Sequence, residues 1–280
     1  MIEPLANVLI ANRLDPDSLN PAGAGGTIFH GQLPPEKAML RWVNLAKASA
    51  ETKYRPIIRG DEDGVPDQPR REPADILAAA PAGDVREILK PRLQDRIKQL
   101  LEMRPQFPDR AKAALAEIDE NSDIDQLAAA VDASGIHSFV GRSEPPQPWP
   151  TLPSEHSKIS LQTLKGRKGK PSSLVLIPTE RASEAPAYLD FGGWNDCPEP
   201  EIQAAVLREW QREYKAAVAG ITGDVLECVV VSPPQTEAQA MKLAAEQRIF
   251  CDDIVAQGTQ SIRKPAIEIW NAQTWFFWWD

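Results

Sequence analysis

The side chains in this 280-residue chain whose types and spacing could do chemistry are three cysteines and the carboxylates beside them. The first cluster is Gly192-Gly193-Trp194-Asn195-Asp196-Cys197-Pro198, which stands just ahead of a stretch with helical periodicity. A thiol at a helix N-terminus has a lowered pKa and can act as a nucleophile, and Asn195, Asp196 and the backbone amides there could cap the helix or bind a ligand. The two glycines equally suit a structural turn that seats Trp194 on a core. The second cluster runs from Glu246 through Cys251, Asp252 and Asp253 to Gln257 and Gly258. Glu246 and Asp253 would make a carboxylate pair for acid–base work if the fold brought them together with Cys251. Cys251 next to Phe250 also fits a buried, inert thiol.

Other chemistries lack their patterns. Cys197, Cys228, Cys251 and His156 would make four zinc ligands, but no closely spaced ligand pair exists, so no metal is expected. A nucleophile elbow of the form G-x-S-x-G is absent, and His30, His137 and His156 all lie in or near loops. Gly23-Ala24-Gly25-Gly26 lacks the Lys-Ser/Thr of a phosphate loop. The basic run from Lys165 to Lys170 reads as a solvated loop. No cofactor is expected.

Bulk charge narrows the partners. A net charge of -9 argues against nucleic acid, because phosphate binding needs a surplus of Lys and Arg. Residues 190–260 hold 12 Asp/Glu against 5 Lys/Arg, a local net of -7 that would suit a basic protein partner. No apolar run of about 18 residues exists, so no membrane span is expected. A charged and then apolar leader is also missing at the start of the sequence, and three cysteines cannot pair completely. Reduced thiols in a cytoplasm are the expected state.

The elements that must position these residues follow from periodicity. Proline is uneven, with 18 of 26 before residue 171 and 8 from there onward. The cluster from Glu144 to Pro153 reads as an extended connector, which predicts a boundary over 141–171. Residues 1–140 form an N-terminal region. Its first 35 residues, rich in Pro, Gly and Asn, predict loops; a short helix and strand follow in 36–60, and a helical block over 73–131. Asp61-Glu62-Asp63-Gly64 reads as a turn. From 172 to 280 the pattern is clearer. Ser172–Ile177 and Asp224–Val231 read as strands, and Glu199–Val218 as a helix with Ile202, Val206, Trp210, Tyr214 and Val218 on one stripe. Thr236 with Gln239 opens another helix, running to about Ile249. Four of the eight tryptophans (Trp270, Trp275, Trp278, Trp279) crowd the end, and Thr274–Trp279 reads as a terminal strand with aromatics on both faces of a covered sheet. The expected fold class is α+β or α/β, a mixed β-sheet with packed helices, plus the helical block.

Taken in order, several motifs resemble one bacterial family. These are Trp194-Asn195-x-Cys197-Pro198, Leu207-Arg208-x-Trp210 with Tyr214, Asp224-x-Leu226-Glu227, Pro233-Pro234, Ala244-x-Glu246-Gln247-x-x-x-Cys251-x-Asp253-x-Val255-x-Gln257-Gly258, and Trp275-x-Phe277-Trp278-Trp279-Asp280. They are similar to the domain-of-unknown-function family 4253, whose members typically finish on Trp-Trp-Asp. The resemblance covers about residues 172–280 and extends in fewer residues to Trp42-x-x-Leu45 and Tyr54-x-Pro56-Ile57-Ile58. It departs at Asp252, where proline is expected after the cysteine. The resemblance implies a shared fold and a common arrangement of Trp194, Cys197, Glu246, Cys251, Asp253 and the aromatic end, and it implies no activity.

Three functions compete at this point. A protein-binding module, most concretely an immunity-type protein that neutralises a toxin, needs no catalytic motif and would use the acidic surface. A hydrolase would use Glu246, Cys251 and Asp253 in one cleft, with Cys251 accessible. A structural or assembly protein would use the helical block for docking.

Overall fold

The computed structural model describes residues 2–23, 26–59, 71–134, 149–151, 161–165, 169–259 and 261–280. The Asp61–Gly64 turn, His137, His156, most of the basic run after Lys165 and most of the Pro-rich connector lie outside the described residues.

Seven strands build one sheet: β1 (Asn20–Ala22), β2 (Ile28–Leu33), β3 (Arg55–Arg59), β4 (Ser172–Ile177), β5 (Ala216–Ile221), β6 (Val225–Val230) and β7 (Thr274–Trp278). Their spatial order is β1-β2-β4-β3-β5-β6-β7. Every neighbouring pair is antiparallel except β3 with β5. β4 therefore lies between two strands of the N-terminal region. All six of its residues are buried, because Val175 and Ile177 face one layer of helices while Leu174 and Leu176 face the other. A continuous apolar run such as Leu174–Ile177 is what a strand covered on both faces requires.

The helices divide between the two faces. One face is covered by α1 (Glu3–Ala11) and α2 (Ala38–Lys47), whose Leu5, Leu9, Trp42 and Leu45 pack on Phe29, Leu33, Ile58 and Leu176. After α2 come the single turn α3 (Ser49–Thr52), then α4 (Pro73–Ala79), α5 (Val85–Met103), α6 (Asp109–Ala114), α7 (Ile124–Ser134) and the short α8 (Gln162–Lys165). The family-like segment adds α9 (Ala185–Leu189), α10 (Pro200–Tyr214), α11 (Glu237–Phe250) and α12 (Arg263–Ile269). The second face carries α10 and α11, with α5 packed on both. The result is a mixed sheet between helical layers, an α+β architecture.

Three local differences from the sequence reading have physical causes. Residues 1–35 are not all loop: α1 and β2 lie there. Pro4 sits in the first turn of α1, where a missing N–H costs nothing, and Leu5 and Leu9 bury one stripe. Helix α10 stops at Tyr214, not at Val218. Lys215 turns left-handed (φ 53°) and the chain re-enters the sheet as β5, whose Val218 keeps pointing into the same core. Strand β7 lies at the edge of the sheet and buries one face only. Trp275 and Phe277 point inward, followed beyond the strand by Trp279, whereas Phe276 is 44% exposed on the other face.

The buried side of β7 explains the crowding of tryptophans. The Trp210 ring stacks on Phe277 at 5.6 Å and meets Phe250 and Trp275 edge-on at 5.1 and 5.7 Å. Trp279 meets Phe250 and Phe191 edge-on at 5.7 and 6.0 Å. Such pairs add about 0.5–1.5 kcal/mol each beyond their buried area. Among the described residues, no helix is long and apolar enough to cross a membrane.

Candidate functional site

The turn before α10 is built by backbone demands. Gly192 has φ 124°, and a Cβ there would lie 2.1 Å from the Pro198 carbonyl oxygen and 2.3 Å from Gln203 Nε2. Gln203 is fully buried on α10. Its amide donates to the carbonyls of Phe191 at 2.8 Å and Pro198 at 2.9 Å, and it lies 3.5 Å from Cys197 Sγ. Trp194 packs on Phe191 at 4.9 Å and leans on Trp279 at 6.3 Å. Asn195 takes the left-handed corner (φ 47°) and is exposed. Cys197 is buried, and burial pushes its thiol far up, with the neighbouring Cys251 adding to the shift. A thiolate is disfavoured there, so this turn behaves as a seat for Trp194.

The second cluster closes on the C-terminal tail. Thr236 caps α11 by accepting from the Gln239 amide at 3.2 Å, while Gln239 Oε1 reaches back to the Gln235 amide at 2.9 Å. At the far end of α11, Cys251 is completely buried and its thiol donates to the Trp278 carbonyl at 3.0 Å. Burial pushes the Cys251 thiol up to about 12. Asp253 Oδ2 accepts the Asp280 amide at 3.1 Å, and Oδ1 accepts from Gln257 Nε2 at 3.0 Å. Asp252, at the position where proline is expected, pairs with Arg248 one turn earlier at 3.1 Å. Its carbonyl opens a stretch of π-helix over Ile254–Thr259 that contains Gly258. The tail is fixed from the other side as well: Trp278 Nε1 donates to Asp224 Oδ2 at 3.2 Å, and the Trp279 amide to the Asp224 carbonyl at 3.0 Å. The separated motifs are thus contact partners of one another.

Helix α5 locks the two clusters together. Arg92 donates to the Asp196 carbonyl at 2.7 Å, to its carboxylate at 3.1 Å and to the Ile249 carbonyl at 3.2 Å. Arg96 pairs with the other oxygen of the same carboxylate. Asp196 therefore joins the turn before α10 to the end of α11 through two arginines that no motif marked. A cavity of about 340 Å³ opens beside this clasp, with Arg96, Met103 and Phe107 on one side and Arg248, Asp253 and Gln257 on the other.

Glu246 does not join this group. Its carboxylate is shut in against Trp210 Nε1 at 3.3 Å, with Arg86 and Lys242 at 3.5 and 3.8 Å. Burial holds it above the ordinary glutamate range, and Lys242, Trp210 and Arg86 pull it partly back. Arg86 Nε is the atom that faces this carboxylate, too far off for a well-formed hydrogen bond. The rest of that guanidinium takes Asp125 at 2.7 and 2.8 Å. Glu227 is buried on the opposite sheet face, where it accepts from the Gln162 and Thr163 amides and the Thr163 hydroxyl at 2.6–2.9 Å.

Much of the acidity of residues 190–260 is therefore taken up internally. Arg71 holds Asp190 and Glu201, each at 3.2 Å. Arg92 and Arg96 hold Asp196, and Arg86 faces Glu246. Four of the twelve acidic residues, Asp190, Asp196, Glu201 and Glu246, thus face arginines of the 71–96 stretch. Among the described residues, no group of three or more His, Cys, Asp or Glu side chains is placed to hold a metal ion.

Sequence reading missed a basic groove at the end of the sheet where β3 and β5 begin. Its signal was present in part: Arg208, Arg212 and Lys215 fall at helical spacings of four and three, on one side of the end of α10. No curated protein and no solved structure matches the chain. Residues 173–280, the stretch that contains the Trp194 turn, the α11 cluster and the aromatic tail, match the family model of a domain of unknown function, DUF4253.

Proposed function

We propose that the protein is a protein-binding module of the cytoplasm, with a toxin-neutralising immunity-type protein as its most specific form. One observation carries this reading: the two thiols and the Glu246 carboxylate, side chains well suited to chemistry, are enclosed. Cys197 and Cys251 are buried with thiols pushed up, Glu246 is shut in against Trp210, and Asp253 holds the tail. A family signature whose parts bind one another describes a scaffold, and a scaffold acts through its surface. The hydrolase reading needs an accessible Cys251 thiolate beside Glu246. Burial works against the first requirement, and the separate surroundings of Glu246 work against the second. The assembly reading keeps the helical block as a docking element, although α5 already docks on α10 and α11.

Co-expression with the products of neighbouring genes tests the proposal, with complex formation followed by size exclusion and calorimetry. A stable complex with one of them, and suppression of that protein's toxicity, is the expected outcome. Labelling with a thiol reagent provides the counter-test. Rapid modification of Cys251 in the folded protein, together with ester hydrolysis abolished by Cys251→Ser, would replace the binding reading with the hydrolase.

A further inference from the structure

The groove at the end of the sheet has a volume of about 770 Å³, within the range of about 300–1,000 Å³ typical of ligand sites. Its floor is apolar, with Trp42, Ala217 and Val229 at its base and Val231, 74% exposed, at its mouth. Six cations line it (Lys47, Arg55, Arg181, Arg208, Arg212 and Lys215) and no carboxylate does, in a chain of net charge -9. Arg181 and Arg212 have acidic neighbours, Glu184 at 3.5 Å and Glu209 at 2.6 Å. The other four have no carboxylate partner among the described residues; Arg55, Arg208 and Lys215 bond to carbonyls, Arg55 also to the Ser49 hydroxyl.

Helix ends account for part of this charge. Lys47 closes α2, while Arg212 and Lys215 close α10, where cations offset the negative end of the dipole. Arg55 serves the same end in part, since its Nη1 donates to the Ala46 carbonyl in the last turn of α2. It begins a strand, its guanidinium is lowered by burial, and its Nε is buried with no acceptor. A buried donor left over in this way can take an acceptor from outside the chain. The shape of the lining says which kind. The lining contains no glycine and takes its charge from separate side chains, which suits a compact phosphate cradled by backbone amides poorly. Cations spread around an apolar floor suit carboxylates spread along a chain that also carries apolar side chains.

We infer that this groove docks an acidic, leucine-bearing segment of a protein partner. The inference deepens the binding reading and rests on it. The probe is a fluorescein-labelled hexapeptide, Glu-Leu-Glu-Glu-Leu-Glu, followed by anisotropy at low and physiological salt, with the Lys-for-Glu peptide as control. Tripolyphosphate and phosphatidylserine vesicles serve as competing arms. The acidic peptide should bind, weaken steeply with salt, and lose about tenfold or more in affinity with Arg181→Glu/Lys215→Glu, two exposed positions where circular dichroism should stay unchanged. Arg55→Gln should do the same if it folds; Arg248→Gln, beside the other cavity, should not. Equal binding of the two peptides, indifference to the charge reversals, or displacement by tripolyphosphate or vesicles at lower concentration each overturns the inference. A neighbouring-gene partner that binds wild type and the Arg181→Glu/Lys215→Glu variant equally sinks the groove and leaves the module standing. A chain that binds no such partner sinks the module.

Discussion

The two faces of the sheet are covered by different means. The face under α10 and α11 carries the aromatic cluster of Trp210, Phe250, Trp275, Phe277 and Trp279, and α5 closes over it with Arg92 and Arg96. The opposite face is covered by α1 and α2, mostly with leucines, and stays open at one end, where the cations gather. Most motif residues of 173–280 lie on the closed face, although Glu227 is buried on the other and Arg208 lines the groove. Packing accounts for the motif residues on the closed side, while the cations gather where the cover is thinner. The family-like segment supplies the frame, and residues outside it, Lys47 and Arg55 among them, complete the surface.

This contrast can be broken by experiment. Deleting the last six residues removes Trp275, Phe277 and Trp279 together, and no cooperative unfolding transition should remain in calorimetry; a soluble, cooperatively folding truncation would show that the aromatic face is dispensable. Trp210→Ala should cost about 3–5 kcal/mol in urea unfolding. Leu5→Ala on the thinner face should cost nearer the low end of the Leu→Ala range, about 2–3 kcal/mol, and equal losses on the two faces would erase the distinction. Asp196→Asn should cost about 1–3 kcal/mol by leaving Arg92 and Arg96 without their charged partner, with most of the added hydrogen exchange in α5. Glu246→Gln should have the smallest effect, visible in pH dependence. A carboxyl held above its ordinary range contributes stability that is complete below that range and lost as pH rises through the raised value. The variant should therefore flatten the decline in stability between acidic and neutral pH; an unchanged slope would mean that Lys242 and Arg86 already neutralise the burial.

How much of this was legible beforehand depended on whether a residue's role was local. The helical block, the Thr236 cap and the strand character of β4, β6 and β7 could be read because neighbours in sequence are neighbours in the element. Helix α1 was hidden by composition, since the same prolines and asparagines that mark loops also start and end helices. Strand β5 was hidden because Ala216-Ala217-Val218-Ala219 carries helix-forming alanines, and only the left-handed turn at Lys215 separates it from α10. At the site, the order of the motifs left open whether the Trp194 turn and the α11 end meet. The Arg92–Asp196–Arg96 clasp could not be read, because its arginines lie some hundred residues away in sequence on a helix without a motif. The basic groove joins side chains from α2, β3, the segment before α9, and α10, and charge counted along the sequence could not sum them.

The placement of β4 between β2 and β3 bears on how the chain is made. During synthesis, β2 and β3 emerge first and cannot complete their shared ladder until Ser172–Ile177 arrives, more than a hundred residues after Arg59. Pairings so distant in sequence are slow to form, and unpaired strand edges invite association with other chains in the interval. A nascent chain stalled before residue 172 should therefore be a client for holdase chaperones. Production of residues 173–280 alone would release β4 with both of its ladder edges bare, so recombinant fragments of the family-like segment should aggregate unless the first sixty residues are supplied alongside.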